Sequence, residues 1–347
     1  MELGNKEVGL GAPPFVIAEM SGNHNQSLER ALDIVEAAAG TGVAALKIQT
    51  YLPETMTLDI HEGEFVISDP NSLWADRSLF ELYGEAYTPW EWHEPIFQRC
   101  RELGVVPFST PFDKTSVDFL ESIDCPFYKI ASFENIDIPL IKDVARTGKP
   151  IVISSGMATA AELDEAIRAI RAEGNDSIVL LKCTSSYPAS PEFSDIRTIP
   201  HMRELFGCEV GLSDHTLGIG VAVAAVALGA TVIEKHFTLA RADGGVDSAF
   251  SLEPSEMSSL VEETERAWAA LGSVKYGPSP GDIKSMVFRR SIYVARDIKK
   301  GEPFSAENLR VIRPGLGLPP RMFDEILGRT AGTDLKRGTA LQLGHLA

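Results

Sequence analysis

The chain has no Cys-x-x-Cys pair: its four cysteines, Cys100, Cys125, Cys183 and Cys208, are widely spaced. That spacing argues against a zinc ribbon and against a disulfide framework, and makes the cytoplasm the expected compartment. Long hydrophobic runs are also missing. The longest uninterrupted apolar stretch, Val221 to Leu228, falls far short of the ~20 residues that span a bilayer, so no membrane partner is expected. The start, Met1-Glu2-Leu3-Gly4-Asn5-Lys6-Glu7, lacks the basic-then-apolar order of a signal peptide. Positive charge is short, with 32 Lys and Arg against 49 Asp and Glu and a net charge of −17. Phosphate backbones need a basic face, so a nucleic-acid partner is not expected, and an anionic substrate would need locally gathered cations. No G-x-G-x-x-G and no P-loop occurs, which removes the usual glycine-rich phosphate turns.

What is present is a rhythm of short apolar segments that end in polar residues. Phe15 to Glu19 ends in a carboxylate. Ala44 to Gln49 carries Lys47, and Val105 to Phe108 ends in Ser109-Thr110. Phe127 to Ala131 carries Lys129 and leads to Ser132 and Glu134. Ile151 to Ile153 leads to Ser154-Ser155-Gly156, and Ile178 to Leu181 leads to Lys182, Thr184 and Ser185. Cys208 to Leu212 ends in Ser213-Asp214-His215, and Thr231 to Ile233 in Glu234-Lys235-His236. Helix-length segments separate them, as at Leu28 to Gly40 behind the N-cap Ser27, and at Ala160 to Ala172. Alternating strands and helices over about 250 residues predict an α/β fold, a (β/α)8 TIM barrel, with a doubly wound open sheet as runner-up.

The expected organisation is a barrel over 1–275, a Gly- and Pro-rich linker over 276–287, and a small, mostly β module over 288–347. A last helix is expected from Ala267, and an internal echo, D-x-K-x-G, recurs at Asp297 and Asp334. A sixty-residue module has a marginal core and should pack on something else. One long insertion, Tyr51 to Thr88, follows the second strand; it is either a lid over the site or a surface excursion or subunit contact.

In a barrel, ligands bind at the C-terminal strand ends. Those ends gather Glu19, Lys47, Gln49, Thr110, Lys129, Ser132, Glu134, Ser154, Ser185, Tyr187, Ser213, His215 and His236. Two lysines among hydroxyls suit a phosphate or carboxylate. Glu19 and Glu134 suit proton transfer or water activation, with the choice of base open. His215 and His236, on consecutive strand ends, suit a divalent metal as a pair, although either alone reads as structural. A Schiff base at Lys129 is a rival use that leaves both histidines unexplained.

At these residues the chain resembles the sialic-acid synthase family. The likeness is carried by A-E-M-S-G-N-H-N-Q-S-L-E (Ala18 to Glu29), A-L-K-I-Q-T-Y (Ala45 to Tyr51), F-S-T-P-F-D (Phe108 to Asp113) and Y-K-I-A-S-F-E (Tyr128 to Glu134). S-S-G-M-A-T (Ser154 to Thr159), K-C-T-S-S-Y-P (Lys182 to Pro188), G-L-S-D-H-T (Gly211 to Thr216) and E-K-H-F-T-L (Glu234 to Leu239) extend it. R-R-S-I (Arg289 to Ile292) and R-P-G-L-G-L (Arg313 to Leu318) resemble the family's antifreeze-like (SAF) C-terminal domain. Met20-Ser21-Gly22, Ser185-Ser186-Tyr187 and Arg241 to Phe250 are closest to the branch that forms pseudaminate.

The resemblance implies condensation of phosphoenolpyruvate with the open-chain form of 2,4-diacetamido-2,4,6-trideoxy-L-altrose, with water addition and C–O cleavage. N-acetylneuraminate or legionaminate formation from another N-acetylated amino sugar is the alternative, and a sugar-binding protein with an inactive barrel is a third reading. It implies Mn2+, Mg2+ or Co2+ on His215 and His236. Lys47, Lys129, Thr110, Ser132, Ser154 and Ser213 would hold the phosphoenolpyruvate anion, and Glu134 would handle the water. Glu19 and Asp247 would lie by the sugar or metal. Arg313 would arrive from a partner chain in a domain-exchanged homodimer.

Overall fold

A computed structural model of the chain describes residues 1–70 and 72–347. They fall into two compact units, 1–272 and 273–347. In the first, eight parallel strands close into a barrel. They are β1 (Phe15–Glu19), β2 (Ala45–Thr50), β3 (Val106–Pro111), β4 (Tyr128–Ile130), β5 (Ile151–Ser154), β6 (Ile178–Cys183), β7 (Glu209–Ser213) and β8 (Val232–His236). β8 pairs back onto β1. Every strand is almost wholly buried, which is why each reads as a continuous apolar run rather than an alternation.

The barrel helices are α1 (Leu28–Gly40), α2 (His93–Glu102), α3 (Lys114–Ser122), α4 (Ile138–Ala145), α5 (Ala160–Ala172), α6 (Thr198–Phe206), α7 (Gly220–Ala227) and α8 (Pro254–Leu271). Ser27, Asp113, Asp137 and Thr159 cap α1, α3, α4 and α5, accepting from backbone N–H groups of the first turn. α8 begins well before the expected Ala267. Pro254 in its first turn and a Glu253–Glu256 capping box start it, and its half-exposed Ser and Glu residues mask the helical period. The sequence puts glycine where strands crowd: a Cβ on Gly211 would stand 2.2 Å from the Val232 carbonyl oxygen.

Register levels the strand ends. His236 is opposite Glu19, Glu19 opposite Lys47, Gln49 opposite Thr110, and Glu234 opposite Ser213. The described residues of the insertion after β2 include helices Pro53–Met56 and Leu79–Ala86, the latter capped by Ser78 and Glu81.

In the second unit, β9 (Ser291–Val294) and β10 (Leu309–Ile312) pair antiparallel over a core that includes Ile292, Val294, Phe304 and Leu341. The stretch expected as linker contains the start of a 3-10 helix, Ile283–Phe288. The D-x-K-x-G echo binds itself. Lys336 pairs with Asp297 at 3.2 Å and Lys299 with Asp334 at 3.1 Å, while each aspartate accepts a backbone N–H from the other copy. Among the described residues no helix is long and apolar enough to cross a membrane.

Candidate active site

The C-terminal ends of the strands line a cavity of about 410 Å3. Its floor is a buried charge cluster. Lys47 on β2 stands 3.2 Å from Glu19 on β1 and 3.4 Å from Glu234 on β8. Lys129 on β4 donates to Ser154 Oγ at 2.6 Å and lies 3.7 Å from Glu234. Ser213 Oγ donates to the same glutamate at 3.1 Å. Burial pushes Glu234 up, but Lys129 and Lys47 more than reverse this and hold it ionised. Glu19 has no hydrogen-bonded partner beyond its ion contact, and burial outweighs Lys47, raising its carboxyl. Lys47 and Lys129 thus share Glu234 as an ionised partner on the cavity floor.

Above the floor stand the two imidazoles, with ring centres 5.3 Å apart, and Tyr187, whose ring centre is 4.6 Å from that of His215. His215 Nδ1 lies 2.9 Å from the Thr184 carbonyl, which holds a proton on that nitrogen and leaves Nε2 as the one available to a ligand. Burial opposes charge on His215; Cys183, 3.9 Å from Nδ1, and the Thr184 carbonyl favour that Nδ1 proton and raise its pKa. His236 is driven well below its ordinary pKa by burial and by His215, and its Nδ1 is buried without a hydrogen-bond partner. Asp247, which accepts from Ser21, is 3.6 Å from that nitrogen. Two imidazoles lining one cavity, one with an orphaned nitrogen, are a donor set that fits a divalent cation. Among the described residues no cluster of three or more His, Cys, Asp or Glu side chains is gathered for a metal.

The match to known proteins follows this architecture. Residues 34–276 match the NeuB family and 289–347 the SAF domain. The chain belongs to the NeuB family. It is 44% identical to the pseudaminic acid synthase of Campylobacter jejuni, over 95% of this chain and 96% of that protein. It is 43% identical to the pseudaminic acid synthase of Helicobacter pylori, over the same shares. A crystal structure of an N-acetylneuraminic acid synthetase from Leptospira borgpetersenii, in complex with citrate, superposes with a TM-score of 0.73. It is 30% identical, over 82% of this chain and 94% of that one.

In this NeuB chain the cavity brings together Glu19, Lys47, Gln49, Lys129, Ser132, Glu134, Ser154, Tyr187, Ser213, His215, His236 and Asp247. Thr110 and Ser185 stand just behind the wall. Thr110 accepts from Lys47 at 3.4 Å, and Ser185 Oγ is 3.8 Å from Cys183 Sγ. Arg313 belongs to the second unit, just after β10. Sequence reading passed over Glu234 as a site residue, although period two on β8 places it on the face of His236 and puts Lys235 on the other. It also passed over Asn135, which donates to the carbonyls of Ser154 and Gly156, both at 3.1 Å, and ties the loops after β4 and β5 together. Gly156 is required there, since a Cβ would stand 2.5 Å from Ser132 Oγ.

Glu134 Oε2 is buried and has no hydrogen-bond partner, and burial pushes the carboxyl up to about 7 against the pull of Lys129. A base with a raised pKa is protonated, and idle, below that pKa. If Glu134 takes the proton from water, kcat/KM falls about tenfold per pH unit below pH 7, and Glu134→Gln abolishes that limb. A pH profile of phosphate release checks this; an unchanged acid limb in the glutamine variant assigns the base elsewhere.

Proposed function

We propose that this NeuB-family chain is a pseudaminic acid synthase, which condenses phosphoenolpyruvate with 2,4-diacetamido-2,4,6-trideoxy-L-altrose and water to give pseudaminate and phosphate. The observation that carries this reading is the juxtaposition of a lysine-bearing floor with a pair of imidazoles in one cavity. The likeness to two pseudaminic acid synthases across almost the whole chain supports the choice of acceptor.

Lys47 and Lys129 hold the carboxylate and phosphate of phosphoenolpyruvate, with Ser132, Ser154 and Ser213 offering hydroxyls. A divalent cation, Mn2+, Mg2+ or Co2+, held by His215 and His236, would supply Lewis-acid polarisation of the acceptor aldehyde. The enol carbon C3 bonds to that aldehyde carbon, and the aldehyde oxygen gains a proton to become a hydroxyl. Glu134 takes a proton from water as its oxygen bonds to C2, which balances the proton given to the aldehyde oxygen. The C2–O bond then breaks, phosphate leaves with its bridging oxygen, and the C2 hydroxyl passes its proton to the phosphate to leave the ketone. Asp247 and Tyr187, beside His236 and His215, position the acceptor. Exposed apolar residues around the mouth, among them Phe133, Met157 and Leu217, support a homodimer in which a second copy covers that face and brings Arg313 to the sugar. Its setting is the cytoplasm, where Cys100, Cys125, Cys183 and Cys208 stay free.

The test is phosphate release by metal-stripped enzyme, offered the diacetamido altrose or N-acetylmannosamine, with and without Mn2+. Turnover of the diacetamido sugar alone, and only with metal, is expected. Turnover of N-acetylmannosamine instead keeps the chemistry and moves the chain to another branch.

A further inference from the structure

The cavity changes chemistry from floor to mouth. The floor is ionic. On the insertion side the mouth is lined by Met56, Ile67, Trp74, Leu79 and Leu82, none of which carries charge, with the rings of Tyr51 and Tyr83 beside them. Neighbouring polar tips are already committed: Trp74 Nε1–H donates to the Val246 carbonyl at 3.0 Å, and the Tyr51 hydroxyl reaches the Tyr83 carbonyl at 3.5 Å. The wall is held in place rather than draped. The Ile67 N–H donates to the Arg77 carbonyl at 2.9 Å, the Asp76 N–H to the Ile67 carbonyl at 2.8 Å, and Leu82 is buried on its capped helix.

Resting on the reaction proposed above, we infer that this wall selects an acceptor whose far end is a methyl. Ile67, Trp74, Leu79 and Leu82 read C6 of a 6-deoxy hexose. Phosphoenolpyruvate on the lysines and the aldehyde at the imidazoles fix the direction of the acceptor, so its carbon chain runs from the floor towards the mouth. C6 is the carbon farthest from the aldehyde and meets the insertion. A hydroxyl there gives up water and finds no donor or acceptor on the Ile67, Leu79 and Leu82 side chains, whereas a methyl only leaves water. An apolar pocket rejects an added hydroxyl by up to roughly a hundredfold.

The test compares kcat/KM for phosphate release with the 6-deoxy diacetamido altrose and with its 6-hydroxy counterpart. It uses the wild type and two variants, Leu79→Asn and Ile67→Asn, with melting temperatures recorded for each. The wild type is expected to prefer the 6-deoxy sugar by about 10- to 100-fold, mostly through KM. In a folded variant the preference shrinks to about threefold or less. Equal use of both sugars by the wild type overturns the inference, as does an unchanged preference in both folded variants. A penalty only on removing the C4 acetyl group also overturns it, by giving the wall to an acetamido methyl. If neither diacetamido sugar releases phosphate, the proposed reaction falls. The wall is then judged on the 6-deoxy and 6-hydroxy forms of whichever N-acetylated hexose does turn over, where equal use again overturns it.

Discussion

Replacing Lys129 by methionine lowers kcat/KM for phosphoenolpyruvate by about a thousandfold, or roughly 4 kcal/mol. The side chain is buried, and its ammonium stands between Ser154 Oγ at 2.6 Å and Glu234 at 3.7 Å. Removing it takes one of two cations from the floor and leaves Glu234 with Lys47 as its single counter-charge, so the arriving anion loses its direct ammonium partner. An exposed lysine would cost far less, because water would screen what remained. Burial lowers the pKa of Lys129, a shift that also suits a Schiff-base lysine. The two uses separate experimentally. An anion-holding ammonium forms no bond to substrate, so borohydride added during turnover leaves the protein mass unchanged. A reduced adduct on Lys129 would overturn this role. The loss should fall chiefly on KM for phosphoenolpyruvate, which steady-state phosphate release reads directly.

The barrel was legible because parallel strands must be buried on both faces and must end at one rim. Eight apolar runs, each closing on polar residues, carry that information without any long-range contact being known. Lys47 and Lys129 were legible for the same reason, since a lysine inside such a run has nowhere to go but the site. What stayed hidden depended on side-chain direction or on contacts between distant segments. Glu234 sits in a motif beside Lys235, and only the alternation of β8 tells which of the two enters the cavity. The apolar mouth comes from residues scattered between Met56 and Leu82, and they form a wall only because backbone bonds fold the loop and Trp74 reaches Val246. The early start of α8 was masked by Ser and Glu residues that read as loop.

Lys235 and Asp214 supply the other large effect, and on stability rather than chemistry. Their charges lie 3.0 Å apart, each about 1% exposed, on the ends of β8 and β7. Lys235 also donates to the Thr216 carbonyl, and Asp214 Oδ1 accepts from the Thr216 N–H at 2.9 Å and its hydroxyl at 2.8 Å. The pair therefore clamps the residues on either side of His215 to the strand that carries His236. Removing one partner leaves a buried charge without compensation, and Asp214→Asn or Lys235→Met should each cost ~3–5 kcal/mol. At roughly 2 °C per kcal/mol for a domain of this size, melting falls by about 6–10 °C. Asp214→Asn combined with Lys235→Met removes both charges and keeps an acceptor for the Thr216 N–H and hydroxyl, losing only the Lys235 bond to the Thr216 carbonyl, so it should be closer to wild type than the sum of the single changes. Thermal melting of the four proteins measures that coupling. Strict additivity would show that the two charges act independently, and would deny the clamp a part in holding the two histidine-bearing strand ends together.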